Sequence, residues 1–133
     1  MSHHVPQKVL FKHCDPAGIV FYPRYFEMIN DAMEDWFAGP LGAPWEVFHK
    51  TNACPSVEIN VTFMAVSRHG DQLDLRVQVE KLGRSSVTVL VDAYCGDQQR
   101  FAARVTLVCI RSDTTRPEPW PDEIRTQMER FSG

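Results

Sequence analysis

From Val57 to Cys109 the apolar residues fall on every second position in four separate runs, and this period of two limits the fold more than any other feature of the chain. Val57, Ile59, Val61, Phe63 and Ala65 make the first run, and Leu73, Leu75, Val77 and Val79 the second. Val87, Val89, Val91 and Ala93 make the third, and Phe101, Ala103, Val105, Leu107 and Cys109 the fourth. Successive side chains of a strand point to opposite faces, so each run predicts a strand with one face against a core. The links SRHGD, LGRS and CGDQQ are short and rich in turn residues, which predicts antiparallel neighbours in a meander. In the last two strands Leu90, Tyr94, Ala102, Val108 and Ile110 are apolar at positions that face the other way. A second covered face is implied, and in so short a chain its simplest cover is another copy of the same sheet.

The first face needs a helix, and one precedes the strands. Phe26, Ile29, Met33 and Trp36 recur at spacings of three and four, Phe37 widens the stripe, and Glu27, Asp31, Glu34 and Asp35 lie on the other side. Pro23 suits a first turn, where its missing N–H leaves nothing unpaired, and Gly39-Pro40 stops the pattern. This predicts a helix from Pro23 to about Ala38, the only one long enough to cover the sheet. Before it, a short strand is expected over Val9 to Phe11, followed by the turn-rich HCDPAGIVFYP. The segment PLGAPWEVFHKTNA reads as a connection with room for a helical turn. After Ile110 an irregular stretch leads to a short helix from about Pro121, carried by Ile124, Met128 and Phe131. The expected architecture is one α+β domain over residues 1–133, with a tail and short helix at 112–133.

Composition removes several function classes. A net charge of −3, with no long run of either sign, gives no electrostatic case for nucleic acid or a membrane surface. No apolar stretch approaches the ~20 residues of a membrane span, and MSHHVPQK does not resemble a signal peptide, so a cytoplasmic protein is expected. Cys14, Cys54, Cys95 and Cys109 lie far apart without a CxxC pair and are expected as free, mostly buried thiols. The histidines share no ligand spacing, and neither a P-loop nor GxGxxG is present, so no metal or cofactor is expected.

The densest group of unusual choices is His13-Cys14-Asp15-Pro16-Ala17-Gly18. Asp15 has two readings: an Asx turn that holds the loop, or a carboxylate reaching a cleft. The helix opening behind it offers free N–H groups, and because Pro23 has none, the Tyr22 N–H is the first donor available to a developing oxyanion. Asp15 would then attack a carbonyl carbon or activate water, and the residues leave both routes open. His13 and Cys14 are adjacent in the chain and point apart, which makes them poor partners for Cys/His chemistry. Arg84, Ser85 and Ser86, with Lys81 nearby, are either a solvated turn or a fork of donors for phosphate. Phe21, Tyr22, Tyr25 and Trp45 read as core or interface aromatics, of which one or two are candidate walls of an acyl pocket, and Phe21, Trp45 and Phe48 permit a flat ring there.

HCDPAGIVFYPRYF resembles the signature of the 4-hydroxybenzoyl-CoA thioesterase family of hotdog proteins, in which D-x-x-G and a hydrophobic triplet precede the long central helix. The resemblance runs from about Val9 to Ile110 and leaves the C-terminal tail outside. It implies a hotdog fold, an antiparallel sheet wrapped around a long central helix, and hydrolysis of an acyl-CoA thioester in which coenzyme A is part of the substrate. It also implies Asp15 as the catalytic carboxylate, the Tyr22 N–H as electrophilic support and Gly18 as part of the tight loop. Asn30 goes with acyl binding, standing where the 4-hydroxybenzoyl enzyme has aspartate, beside Tyr25 as a substrate-binding candidate from the aromatic residues above, and Arg84, Ser85 and Ser86 go with the CoA nucleotide. The family's dimers, often paired into tetramers, imply a homodimer or homotetramer in which Asn60, Thr62 or the strand from Ser86 faces Asp15 of a neighbour. Glu27 is a spare helix carboxylate for the variant in which a glutamate acts. Rival expectations are a thioesterase for acyl-carrier protein and a non-catalytic acyl-CoA binding module.

Overall fold

In a computed structural model that describes all 133 residues, Met1 to Gly133, the three central runs pair as expected. β4 (Gln72–Leu82), β5 (Ser86–Cys95) and β6 (Gln98–Val108) form an antiparallel meander. β1 (His3–Lys8) adds to one edge and β3 (Ser56–Phe63) to the other, so the strand order is β1-β4-β5-β6-β3. A two-stranded ladder of β2 (Asn52–Ala53) and β7 (Ile110–Arg111) lies apart from the sheet. The inward alternates of β4, β5 and β6 are all buried. Against them runs α1 (Pro23–Ala38), which buries Tyr25, Met28, Ile29, Ala32, Met33, Trp36 and Phe37. The bounds of α1 are those its Pro23 and Gly39-Pro40 predict.

Two expectations need correction, and a third, for the tail, is extended. The first strand is not Val9 to Phe11. It is His3–Lys8, while Phe11–His13 turns once as a 3-10 helix. HHVPQK shows little period-two signal because an edge strand covers only one side, and its Pro6 is tolerated there for the same reason.

The second correction concerns β3. Ile59 and Phe63 face the same way as their buried partners Val105 and Phe101 on β6, yet they are 42% and 46% exposed, and Val57, at the irregularity between Ser56 and Glu58, is 60% exposed. Alternation reports which face a side chain takes, not how fully it is covered, and α1 covers this edge only in part, with Tyr25 against Phe63.

The tail forms its short helix where expected, and the structure adds that this segment is part of the core. Trp120, Ile124, Met128 and Phe131 are all buried, with α3 (Asp122–Glu129) lying by β4. Phe131 meets Trp36 edge to face with ring centroids 5.8 Å apart. The cover of the sheet is therefore shared between α1 and the tail. Such aromatic burial is among the largest contributions a small core receives.

All four cysteines are free; Cys54 and Cys109 are buried and Cys14 and Cys95 partly so. Burial pushes the Cys54 thiol up to about 12 and the Cys109 thiol up to about 11, which keeps both protonated and unreactive at neutral pH.

Candidate active site

The loop from His13 to Tyr22 folds back on itself as a miniature ladder. The Phe21 N–H donates to the His13 carbonyl at 2.9 Å, Cys14 bridges Val20, and the Asp15 N–H donates to the Ile19 carbonyl at 3.0 Å. The turn between closes with the Gly18 N–H on the Asp15 carbonyl at 2.9 Å. Gly18 takes φ +81°, and a Cβ there would meet nothing within 4 Å, so glycine is required by conformation rather than by space. Gly18→Ala is accordingly expected to cost ~1–2 kcal/mol, the penalty of a left-handed L-residue, and to lower kcat because the loop relaxes. Denaturant midpoints and steady-state rates on the same preparation measure both.

Asp15 is partly exposed at this turn, and its geometry bears out the Asx-turn reading of it. Its Oδ1 accepts the Ala17 N–H at 2.9 Å, an Asx turn, whereas its other oxygen accepts nothing from the chain. At the base of the ladder Tyr22 caps α1 on its N-terminal side, and the Tyr22 N–H has no hydrogen-bond partner in the chain. A carboxylate oxygen and an amide proton, both unengaged, thus stand at the two ends of one stapled loop.

An apolar cavity of about 290 Å³ opens at the Tyr22 end of this loop, lined by Val20, Tyr22, Tyr25, Phe63, Met64 and their neighbours, all apolar or aromatic. Tyr25 is held there between Phe63 and Phe101, with ring centroids at 5.6 and 5.1 Å. A smaller cavity of about 120 Å³ lies further along α1, where Asn30 and Ser56 stand among apolar walls that include Ile29, Met33, Trp45 and Leu107. The Trp45 indole N–H is buried without a partner. On the solvent side of α1, Lys12, His13, Arg24, Glu27, Asn30 and Asp31 line a polar groove of about 550 Å³. Glu27 belongs to that groove and pairs with Arg24 at 3.1 Å, so it does not border the apolar cavity.

The remaining candidates are not brought to Asp15 within one chain. Asn60 and Thr62 pair with Arg104 and Ala102 and share a shallow depression with Leu90 and Asp92 on the outer face of the sheet, away from α1. Burial raises the Asp92 carboxyl there, opposed by the charge of Arg76. Arg84, Ser85 and Ser86 form the β4–β5 reversal at the far end of β4, whose 11 residues extend over ~35 Å. Arg84 is exposed, and its carbonyl accepts the Trp120 N–H and the Arg125 guanidinium, both at 3.1 Å.

Sequence reasoning missed the support behind the loop. Val20 donates its N–H to the carbonyl of Ser67, which is fully buried, and Ile19 bridges Arg68. The Arg100 guanidinium ties this segment together through the Val66 carbonyl at 3.0 Å, Ser67 Oγ at 3.1 Å and Asp71 Oδ2 at 2.8 Å. Its hydrogen bond holds the Asp71 carboxyl below the usual carboxylate range. Nothing in SRHGD distinguishes such a brace from an ordinary hairpin turn; an arginine at the start of β6 is the only hint.

An antiparallel five-stranded sheet wrapped around one long helix, with a carboxylate-bearing loop leading into that helix, defines the hotdog fold. The profile of the Thioesterase-like superfamily matches residues 9–128, and the chain belongs to that family. It is 26% identical over 129 residues to a 1,4-dihydroxy-2-naphthoyl-CoA hydrolase of Acaryochloris marina, covering 93% of each chain. It is 29% identical over 83 residues to a 4-hydroxybenzoyl-CoA thioesterase of a Pseudomonas species, covering 60% of this chain and 59% of that protein. Among solved structures, Slr0204 from Synechocystis, a 1,4-dihydroxy-2-naphthoyl-CoA thioesterase, superposes with a TM-score of 0.88 at 19% identity, covering 96% of both. No helix of the chain is long and apolar enough to cross a membrane.

Proposed function

We propose that this protein hydrolyses an acyl-CoA thioester to the free acid and coenzyme A, with Asp15 as nucleophile or general base. The observation that carries this reading is the pairing of two unengaged groups on one loop: the free carboxylate oxygen of Asp15 and the unpartnered N–H of Tyr22, the latter residue bordering an apolar cavity. A thioester carbonyl whose oxygen accepts the Tyr22 N–H is stabilised as negative charge develops on it, with help from the positive end of α1. Asp15 then attacks the carbonyl carbon, expelling CoA thiolate and leaving an anhydride for water to open, or it removes a proton from the attacking water. Gly18 makes the turn that aims the carboxylate.

The acyl group this reading favours is a single aromatic ring or a short chain. Apolar cavities of about 150 Å³ hold a benzene ring, so the 120 Å³ beside Asn30 and Ser56 is of ring size. Curated relatives named for hydroxybenzoyl and dihydroxynaphthoyl esters support an aromatic acyl.

A second copy of the chain completes the site. Two β3 edges paired antiparallel about a twofold axis would bury Val57, Ile59 and Phe63, whose exposure is otherwise costly. The same operation turns the partner end for end, which puts the partner's Arg84-Ser85-Ser86 reversal at the end of the sheet that carries Asp15. Three strands at ~4.8 Å, ~15 Å in all, then separate the β3 edge from that turn, a span for an extended pantetheine arm with its phosphates on Arg84. The partly apolar outer face around Leu90 and Ala102 is the surface on which two dimers would pair into a tetramer.

The deciding experiment is a hydrolysis panel of benzoyl-, hydroxybenzoyl-, short-chain and long-chain acyl-CoA esters, with one aromatic acyl-carrier-protein thioester alongside. The highest kcat/KM is expected with an aromatic CoA ester. A preference for the carrier protein would transfer the activity to that substrate, and binding without turnover of any ester would leave only a binding module.

A further inference from the structure

His13 lines neither apolar cavity and carries no role in the reaction described above, yet it is joined to both halves of the loop. Its carbonyl accepts the Phe21 N–H, one residue before Tyr22, and its main chain runs through Cys14 directly into Asp15. The side chain is 5% exposed. Its Nδ1 accepts the Leu10 N–H at 2.9 Å, while the His13 N–H donates back to the Leu10 carbonyl at 3.0 Å. The 3-10 turn at Phe11–His13 is closed from both sides by this one residue.

We propose that His13 is a positioning residue which, in its neutral form with the proton on Nε2, sets the separation of the Asp15 carboxylate and the Tyr22 N–H. The proposal rests on the reading of those two groups as the catalytic pair. An Nδ1 that accepts a hydrogen bond carries no proton, so the ring donates only through Nε2. Protonation would place an N–H on Nδ1 against the N–H of Leu10 and replace a bond by a repulsion. The turn would then have to open, and with it the residue on which the Phe21 rung hangs.

The surroundings favour the neutral ring. Burial lowers the His13 pKa most, Lys12 on the same turn and Arg24 on α1 act in the same direction, and Glu27 and Asp31 on α1 oppose them. An imidazole held below its unfolded value contributes stability that is complete above that value and is lost as pH falls through the folded one. The built loop is therefore favoured at neutral pH and released on the acid side.

Two substitutions separate these effects. His13→Leu removes the acceptor and leaves the Leu10 N–H unpaired. It is expected to lower kcat ~10–10²-fold, the scale of an ångström-sized misplacement, with KM changing far less. His13→Asn keeps an oxygen acceptor near the Nδ1 position and does not titrate. It is expected to recover most of kcat while the acid limb of the pH–kcat profile loses one ionisation. Wild-type kcat in the leucine variant, or an unchanged acid limb in the asparagine variant, overturns the proposal. Should the leucine variant fail to fold, ¹⁵N spectra of the wild-type imidazole decide instead. The Nε2–H tautomer and a Leu10 amide that follows the His13 titration are expected, and an Nδ1–H ring or an indifferent amide overturns it. If Asp15→Asn abolishes turnover while both His13 variants behave as wild type, only the positioning role falls. If Asp15→Asn leaves turnover intact, the catalytic pair itself falls.

Discussion

Asp15→Asn is expected to lower kcat at least ~10²-fold, the lower end of what a positioned acid or base contributes, while the melting temperature and assembly stay as in the wild type. The choice of asparagine matters because Asp15 does two things. Its Oδ1 closes the turn by accepting the Ala17 N–H, and an asparagine carbonyl oxygen at the same place accepts it equally. What asparagine lacks is the negative charge and the basic second oxygen. Asp15→Ala removes both functions together and is expected to lose the same turnover plus some stability of the loop. Steady-state hydrolysis and thermal melts on the two variants therefore separate chemistry from folding. Undiminished turnover in the asparagine variant would leave Asp15 with the turn alone.

How far the chain could be read in advance followed a physical rule. Strands β4, β5 and β6 have neighbours on both sides and α1 beneath them, so every inward position must be apolar and the pattern is complete. Strand β1 has one neighbour and Val5 as its sole clear apolar residue, which left His3–Lys8 without a signal. The tail helix was legible from Ile124, Met128 and Phe131, whereas burial of Trp120 was not, because Pro117, Pro119 and Pro121 suggest an irregular segment and that burial depends on where the chain returns rather than on local periodicity. In the site, the turn chemistry of Asp15-Pro16-Ala17-Gly18 and the missing N–H of Pro23 located the loop and its free donor. The ring of His13 was not legible in that way, because a single side-chain torsion decides whether it meets Leu10. Asn60 and Thr62 were legible in principle: they alternate with Val61, so they belong to the face away from the helix.

Mixing two weakly active proteins is expected to restore activity if each catalytic site draws on two chains. Arg84→Glu puts a negative charge where the CoA phosphates are expected and should raise KM ~10-fold, so that at low substrate this homodimer is slow. The Asp15→Asn homodimer is slow at any substrate concentration. In a hybrid of the two, one site combines the Asp15 of the Arg84→Glu chain with the Arg84 of the Asp15→Asn chain and is intact, while the other site carries both defects. Random reassortment makes about half of the dimers hybrid, each with one working site of two, so the mixture should approach about a quarter of wild-type kcat/KM. If each site were built from a single chain, no pairing of these subunits would regenerate one, and the mixture would stay at the mean of its parents. The ~35 Å along β4 between the loop and the 84–86 turn makes the single-chain arrangement hard to reconcile with one CoA ester touching both. Denaturing and refolding the equimolar mixture, with the unmixed variants refolded in parallel, gives the comparison directly. Recovery of activity would tie the exposed β3 edge, the inverted partner and the Asp15 loop into one functional unit.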